Sequence, residues 1–408
     1  MPLRYLGCIV LSLVSFTRAD SLPAQAKDGS QSSEYQRTLG ALEQYRVLAS
    51  EDDGAILPTT KTPVEPGQHY AGVPRLIRLL SRIGDLPAGD RPGDSNLYEG
   101  ALVTAVKRFQ NRHGIEPDGR IGKTTLVELN TPLSFRVRQL ELALERWRRV
   151  PHDTARPAII LNLPEFRLRA FGASQQPELE MKIVIGRASK LQTPLLSSEI
   201  DTVVFWPYWN VPFSIQRKEL VPDIIRDPTY IAKNDFELVT PRGVVVAEDM
   251  VSNTTLAQLR SGKLLLRQKP GPKNALGLVK FVFPNEFSVF MHDTPAKSLF
   301  ARARRDFSHG CIRLEKADEL AEWVLRAESV WPRDRIAAAI QGSESVAVKL
   351  EHPIPVVTMY VTAVALESGE VRFFSDIYGK DADLEKELAE AGQGPAITND
   401  EPGRRPRE

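Results

Sequence analysis

The stretch HDTPAKSLFARARRDFSHGCIRL occupies residues 292–314 and brings two histidines and a cysteine into one short segment. His292 ends a predicted strand, and Cys311 follows a loop of charged and turn-forming residues. A thiol attacks a carbonyl only as its thiolate, and an imidazole within reach can take the proton. Because two adjacent strand ends can bring such side chains together, the stretch predicts Cys311 as a nucleophile and His292 as its general base.

The residues beside this pair supply candidates for supporting roles. Acyl transfer needs a donor for the charge that develops on the carbonyl oxygen, and the backbone N–H of Cys311 is the first candidate, provided that no strand partner takes it. Gly310 leaves room for the backbone to approach a substrate. His309 either bonds within the site, orients His292 or only shapes the loop. The group that orients His292 stays open between a backbone carbonyl near Asp293 and the Asp293 carboxylate.

Around this stretch the sequence has the texture of a β domain. Short runs rich in Ile, Leu and Val predict strands, and no helical pattern alternates with them, which favours a mostly antiparallel sheet or barrel. Residues 213–278 interrupt the strands with polar, helical and Pro/Gly-rich pieces and are predicted to be an insertion. The predicted strands are Ala158–Leu163, Phe166–Phe171, Leu179–Ile185, Thr202–Phe205, Val244–Ala247, Val279–Phe283 and Phe287–His292.

The N-terminus and the composition indicate an exported protein. A positively charged start, the apolar run Tyr5–Phe16 and small residues up to Ala19 predict a removed signal peptide at residues 1–19, with a retained anchor as the alternative. Cys8 would leave with the signal, so that Cys311 would be the lone thiol of the mature chain. With 53 Lys and Arg against 52 Asp and Glu, the charge favours neither nucleic acid nor an anionic membrane.

A second module precedes the β domain. The string GALVTAVKRFQNRHGIEPDGRIGKTTLVELN covers residues 100–130 and predicts two helices joined by a Pro117-Asp118-Gly119 turn. It resembles the small helical peptidoglycan-binding domain of many cell-wall enzymes. An unrelated helical hairpin is the alternative.

The catalytic stretch resembles the signature of L,D-transpeptidase catalytic domains, in which a histidine precedes Ser-His-Gly-Cys, a hydrophobic residue and, here, Arg313. Many members have Asn at that last position, which leaves the role of Arg313 open. The strings FWPYWNVP at 205–212, QKPGPKNALG at 268–277 and DIYG at 376–379 resemble a larger Gram-negative subgroup with a helical scaffold and an active-site lid.

The resemblance implies a multidomain α+β protein: a β-rich L,D-transpeptidase catalytic domain with an inserted lid, a helical scaffold and a small helical peptidoglycan-binding domain. The implied ranges are a signal peptide at 1–19, a disordered lead-in and scaffold at 20–96, a peptidoglycan-binding domain at 97–131, a scaffold helix at 132–151, a catalytic domain at 152–343 with its lid at 213–278, and a C-terminal ribbon and tail at 344–408.

The resemblance also implies the chemistry. Cys311 would be acylated by a peptidoglycan stem peptide with His292 as base, and a second stem would then accept the acyl group in a 3–3 cross-link, in the periplasm and without a cofactor or metal. Carbapenems would acylate the same thiol. Ser308, Trp209 and Arg313 are the candidate substrate-binding residues, with a structural salt bridge as the alternative for Arg313 and core packing as the alternative for Trp209.

Three other functions stay open at this point. The same thiol chemistry could pass the acyl group to water, as in an L,D-carboxypeptidase or a cross-link hydrolase. A non-enzymatic wall-binding scaffold would need no reactive thiol. His292, His309 and Cys311 could also be zinc ligands, although two ligands separated only by Gly310 strain tetrahedral coordination.

Overall fold

A computed structural model describes residues 32–90, 96–150, 158–172, 176–247 and 251–392. The signal peptide predicted at 1–19 and most of the lead-in lie outside these ranges, as does the end of the tail from residue 393. None of the helices in the described ranges combines the length and the apolar character that crossing a bilayer requires.

The N-terminal half is helical. Ser32 is the N-cap residue that precedes helix α1. Its side chain accepts a hydrogen bond from the Tyr35 amide, one of the N–H groups of the first turn that have no partner within the helix. The elements in chain order are α1 (Ser33–Ser50), β1 (Gln68–His69), α2 (Val73–Arg82), β2 (Leu97–Tyr98), α3 (Ala101–Arg112), α4 (Lys123–Leu129) and α5 (Leu133–Arg148).

The helical unit predicted at 97–131 extends further toward the N-terminus than that range. Leu57, Val73 and Leu76 share one buried apolar cluster with Leu102 and Phe109 of the predicted range. Short strands β1 and β2 also pair across the predicted boundary. Helix α2 therefore belongs to this unit, whereas α1 packs with α5 in a separate cluster.

The catalytic part begins with four strands, β3 (Ala158–Asn162), β4 (Arg167–Phe171), β5 (Pro177–Gly186) and β6 (Ser197–Phe205). Strand β4 pairs antiparallel with both β3 and β5. Their alternate residues Ile159, Leu161 and Leu168 are fully buried, as expected for strands with one face toward a core.

The inserted lid has its own fold. Trp209 and Asn210 form a short strand that joins the lid sheet, so the insertion begins before the predicted residue 213, and its apolar cluster is separate from the main core. A single π-helical turn, Gln216–Leu220, follows the first helix. The elements are β7 (Trp209–Asn210), α6 (Phe213–Ile215), α7 (Val221–Arg226), α8 (Tyr230–Lys233), β8 (Phe236–Val239), β9 (Val245–Val246), α9 (Asn253–Ser261) and β10 (Leu265–Gln268), with the sheet order β7-β10-β8-β9.

The remaining strands close the main sheet into a barrel. They are β11 (Val279–Val282), β12 (Met291–His292), β13 (Asp306–Ser308), β14 (Ile312–Leu314) and β15 (Val346–Met359), and helices α10 (Ala317–Leu325) and α11 (Arg333–Gln341) lie between β14 and β15. The order is β13-β5-β14-β12-β11-β6-β15-β3-β4, and β4 pairs again with β5. Most pairs are antiparallel, but β13 with β5, β12 with β14 and β3 with β15 are parallel.

The C-terminal region departs from the predicted range 344–408. Strand β15 is part of the barrel sheet, where it pairs with β6 on one side and β3 on the other. Its residues Val348 and Val356 contribute to the same apolar core as the other strands. The ribbon predicted after it is present but short, with β16 (Ala363–Ala365) paired to β17 (Val371–Phe373). Helix α12 (Lys380–Glu390) then packs Leu384 and Leu388 against Leu142 of α5.

Candidate active site

The strand register assembles the site on the outer face of the barrel. His292 of β12 is the direct neighbour of Lys280 on one side and of Arg313 on the other. Met291 and Ile312, which alternate with them, point into the core and are fully buried. Cys311 immediately precedes β14, and the next residue, Ile312, pairs with Met291, the residue before His292.

A backbone carbonyl orients the imidazole of His292. Nδ1–H donates to the carbonyl oxygen of Asp293 at 2.5 Å. The carboxylate of Asp293 is engaged elsewhere, since Oδ2 accepts from the Leu278 amide at 2.9 Å and Oδ1 accepts from Lys297 Nζ at 2.6 Å. Of the two groups left open by the sequence, the carbonyl therefore contacts the ring, and this tautomer leaves Nε2 as the basic nitrogen.

The surroundings of His292 favour the neutral ring. Burial, followed by the charge of Arg313 and more weakly that of Lys280, lowers the pKa of His292 to about 3, although the carbonyls of Asp293 and Leu276 favour the protonated ring. The imidazole is therefore neutral near pH 7, the form that can accept a proton from a nucleophile.

Cys311 is a partly exposed free thiol. Burial raises the pKa of Cys311, while a backbone hydrogen bond from Phe290 and the charges of Lys280 and Arg313 oppose this rise. The resting pair is therefore a neutral thiol beside a neutral imidazole. Within the described part of the chain, no hydrogen bond takes the N–H of Cys311, whereas the next amide, Ile312, donates to the Phe290 carbonyl.

Three residues of the motif shape the loop before Cys311. Ser308 Oγ donates to the Cys311 carbonyl at 2.6 Å and accepts from the Gly310 amide at 3.1 Å. Gly310 has a φ of +116°, a conformation that side chains with a Cβ rarely adopt. His309 faces away from the pair and toward the lid, where its Nε2 lies 2.6 Å from Oε1 of Glu219 on the π-helical turn.

Arg313 is a half-buried cation without an anion. Its Nε is buried and has no hydrogen-bond partner, and no carboxylate in the described ranges pairs with its guanidinium. Burial, followed by the charge of another cation, Arg187, lowers the pKa of Arg313. The structural salt bridge considered from the sequence is thus not present among the described residues.

The two tryptophans of the FWPYWNVP string lie outside this row. Trp209 is half-buried in the lid sheet and packs on Phe236 with ring centroids 6.2 Å apart. Trp206 donates from Nε1 to the carbonyls of Ala339 and Ile340 at 3.1 and 3.2 Å. Both therefore have packing contacts, and the structure does not bring Trp209 together with Cys311 and His292.

Lys280 is a site residue that the sequence reasoning missed. It lies between the buried residues Val279 and Phe281, so alternation alone would have placed it on the outer face. Its pairing with His292 depends on the register of two distant segments, which the local pattern does not show.

The described residues contain no cluster of three His, Cys, Asp or Glu side chains with the geometry of a metal site. His309 pairs with Glu219 and not with His292 or Cys311, so the three zinc ligands considered from the sequence do not converge.

Two parts of the chain match known protein families. Residues 156–336 match the YkuD family, described as the L,D-transpeptidase catalytic domain. Residues 69–129 match a family described as "Putative peptidoglycan binding domain". The chain thus carries an L,D-transpeptidase catalytic domain. The peptidoglycan-binding match begins before residue 97, in agreement with the shared core that includes α2.

A relative outside this chain supports the same family. A Haemophilus influenzae protein named "Putative L,D-transpeptidase" is 30% identical over 226 residues, which are 55% of this chain and 45% of that protein. The match therefore spans less than half the length of the relative.

Solved L,D-transpeptidase structures are similar at low identity. The protein of Stackebrandtia nassauensis is 13% identical, with 74% of this chain and 97% of that chain covered and a TM-score of 0.29. L,D-transpeptidase 3 of Mycobacterium tuberculosis, in complex with a faropenem-derived adduct, is 12% identical over 50% of this chain and 60% of that chain, with a TM-score of 0.22. The assignment of the transpeptidase domain rests on the family matches.

Proposed function

We propose that this chain is a cysteine L,D-transpeptidase that forms 3–3 cross-links between peptidoglycan stem peptides, with Cys311 as nucleophile and His292 as general base. The observation that supports the proposal is the register of β12 and β14: it sets His292, with its carbonyl-oriented ring, beside the strand that Cys311 immediately precedes.

In the first step, Sγ of Cys311 attacks the carbonyl carbon of the third stem residue, and the thiol proton passes to Nε2 of His292. The C–N bond to the terminal D-alanine then breaks, and the imidazolium returns its proton to the departing amine. The product is a thioester on Cys311. A neutral imidazole suits this sequence because it accepts the proton only as the sulfur attacks.

In the second step, a side-chain amine of another stem attacks the thioester carbonyl. His292 takes a proton from this amine, the C–S bond breaks, and the sulfur leaves as a thiolate that is protonated again. The new amide bond joins the two stems, and water in place of the amine would give carboxypeptidase products instead.

Negative charge on the carbonyl oxygen needs donors that are already in place. The N–H of Cys311 has no partner among the described residues and follows Gly310, where the backbone turns. We assign this N–H to the oxyanion. Ser308 holds the Cys311 carbonyl and so fixes the direction of that peptide unit.

Arg313 is the proposed site for a carboxylate of the donor stem. A guanidinium presents a planar fork that binds a carboxylate in two-point fashion, and this one has an unused buried Nε next to the reacting pair. The peptidoglycan-binding unit would hold the enzyme on the same polymer, and we expect the protein to be exported to the periplasm.

A thiol that forms this acyl-enzyme should also open the ring of a carbapenem. The structure of the Mycobacterium tuberculosis protein contains a faropenem-derived adduct. For this chain we expect one covalent carbapenem adduct, located on Cys311.

The test compares Cys311→Ala with Cys8→Ala, which removes the other of the two cysteines. Incubation with a tetrapeptide muropeptide should add the mass of one acyl group to the parent and to Cys8→Ala, whereas Cys311→Ala should lose turnover by about 10⁴-fold or more. Circular dichroism checks the fold of each variant. Unchanged turnover in Cys311→Ala would end the proposal.

Product analysis with and without an acceptor amine separates the two outcomes of the thioester. Mass spectrometry should show cross-linked dimers when the acceptor is present. A reaction that gives only the shortened monomer under both conditions would identify a carboxypeptidase and contradict the cross-linking proposal.

A further inference from the structure

Lys280 is the one charged residue of strand β11, between two core residues. Val279 and Phe281 are fully buried in the barrel, and Lys280 extends from the opposite face. Its neighbours across the strands are Val204 on β6 and His292 on β12. The side chain of Lys280 therefore borders the proposed catalytic pair on the side opposite to Arg313.

An aromatic ring, and no carboxylate, holds the ammonium group of Lys280. Nζ lies 4.0 Å from the centroid of the Phe290 ring, a cation–π distance, and the Phe290 ring lies 5.6 Å from that of His292. No acidic side chain in the described ranges forms an ion pair with Lys280. A half-buried lysine without an anion loses hydration energy that no ion pair replaces. This indicates that its charge interacts with an anion that forms during the reaction.

We propose that Lys280 is a positioning residue of the site, whose ammonium group, fixed over the Phe290 ring beside His292, stabilises the anionic sulfur of Cys311. The inference rests on the proposed cysteine chemistry and adds a residue to it. The sulfur is anionic twice in the cycle, as it attacks the donor carbonyl and as it leaves the thioester.

The need for such a cation follows from the state of the imidazole. Because burial and the neighbouring cations keep His292 neutral, no imidazolium is present at rest to balance a thiolate. The charge of Lys280 lowers the pKa of Cys311 against the effect of burial and ranks ahead of Arg313 in doing so. Burial lowers the pKa of Lys280, and the charge of an anionic Cys311 opposes this.

The other charged groups around the thiol do not replace Lys280. Arg313 lies on the strand that follows Cys311, and the charge of Arg187 acts on it, after burial, to lower its pKa. The Asp293 carboxylate is paired with Lys297, and His309 in the motif loop is paired with Glu219. Lys280 and Arg313 have no ion pair among the described residues and lie on the two sides of His292, and we assign substrate carboxylate to Arg313 and the sulfur to Lys280.

The test measures the rate at which iodoacetamide alkylates Cys311 as a function of pH, in full-length chain carrying Cys8→Ala. This reaction reports thiolate directly and needs no turnover. Relative to the parent, Lys280→Met should alkylate about tenfold more slowly at pH 7.5 and reach half-maximal rate about one pH unit higher, since one unit of pKa is a tenfold change in thiolate. Lys280→Arg should recover most of the rate, because guanidinium also stacks on an aromatic ring.

The matched control is Lys349→Met on β15, which removes an exposed strand lysine paired with Asp201. It should follow the parent curve. Lys280→Gln repeats the test with a polar end in case Met alters the packing. Parent-like curves for Lys280→Met and Lys280→Gln would overturn the inference, as would a Lys280→Arg curve as slow as that of Lys280→Met.

The same variants separate this inference from the proposed function. A shifted alkylation curve in Lys280→Met together with full turnover in Cys311→Ala would support the electrostatic role and reject the cysteine mechanism. An unshifted curve together with loss of turnover in Cys311→Ala would reject only the role of Lys280.

Discussion

Two arginines of this chain, the buried Arg112 and the half-buried Arg313, have opposite surroundings. Arg112 of α3 meets Asp85 with Nε at 2.9 Å and Nη2 at 2.7 Å, and its Nη1 donates to the Tyr45 hydroxyl at 3.2 Å and the Val371 carbonyl at 3.1 Å. Arg313 of β14 has a buried Nε without any partner among the described residues.

The contrast separates a structural cation from one kept for a ligand. Arg112 joins the peptidoglycan-binding unit to α1 and to the ribbon, and every bond it makes is within the chain. Arg313 and Lys280 border the thiol with no internal anion. A buried charge without a partner costs stability, so its presence is best explained by an anion that arrives with the substrate or forms during the reaction.

The sharpest way to break this comparison is to make the same substitution at both arginines. Arg112→Met leaves Asp85 buried without its cation and should lower the free energy of unfolding by about 3–5 kcal/mol. Arg313→Met removes an unpaired cation and should change the free energy of unfolding by less than about 1 kcal/mol. Denaturant unfolding followed by tryptophan fluorescence measures both.

Activity should show the reverse order for Arg313. Loss of a charge-assisted bond to a substrate carboxylate, worth about 1.5–3 kcal/mol, should reduce the acylation efficiency of Arg313→Met by about 10- to 100-fold. Arg313→Met that unfolds as readily as Arg112→Met, or that acylates at the parent rate, would remove the distinction between the two arginines.

The lowered pKa of His292, caused by burial and by the cations at the site, predicts that the free energy of unfolding depends on pH. An unfolded His292 binds its proton below about pH 6.5, whereas the folded ring resists it until a pKa of about 3. The unfolded state therefore holds more protons in this window, and stability falls as the pH decreases from 6.5 toward 3. At about 1.4 kcal/mol per pH unit, His292 accounts for a loss of about 2 kcal/mol between pH 6.5 and 5.

His292→Gln should remove this contribution, so the difference in unfolding free energy between pH 7 and pH 5 should shrink by about 2 kcal/mol. The control is His352→Gln, whose side chain is exposed in the folded chain as in the unfolded one. The same pH difference in parent and His292→Gln would show that the folded site does not oppose protonation of this ring.

The smallest expected effect concerns the contact between His309 and Glu219. It differs from both arginines, because its two partners meet near the surface. This exposed pair joins the motif loop to the lid, and such pairs contribute about 1 kcal/mol at most. Glu219→Gln should therefore raise the rate of proteolysis within the lid by no more than about fivefold.

The control for the lid is Arg226→Gln, which removes an exposed pair that lies entirely within the lid. It should leave the rate of cleavage unchanged. A large increase in cleavage for Glu219→Gln alone would show that this one contact holds the lid closed, and the lid would then deserve a role beyond that of a wall.

Local patterns in the sequence were sufficient for part of this site. The spacing of His292 and Cys311 predicted a pair at two strand ends. In the structure His292 ends β12, and Cys311 immediately precedes β14, the strand that pairs with β12. The helical module and the β texture were equally readable, because both depend on periodicity within a few residues.

Other features depend on which distant segments pair, and local patterns do not contain that information. Lys280 looks like any outward residue of a half-buried strand until β11 is set beside β12. From the sequence, the Asp293 carboxylate was a candidate partner of His292. In the structure it accepts a hydrogen bond from the amide of Leu278, at the end of the predicted lid segment. The segment of β15 was predicted to be part of a terminal ribbon, because its own residues do not indicate that it pairs with β3 and β6.

The position of β15 has a consequence for the order in which the molecule is completed. Val356 pairs with Ile159, roughly 200 residues earlier in the chain. Closing the barrel therefore requires two segments that are far apart in the sequence to meet. A growing chain that has reached Gln341 already contains Cys311, His292 and Lys280, yet β3 and β6 still lack the strand that belongs between them. The residues proposed for acyl transfer are therefore synthesised before the strand that completes their barrel.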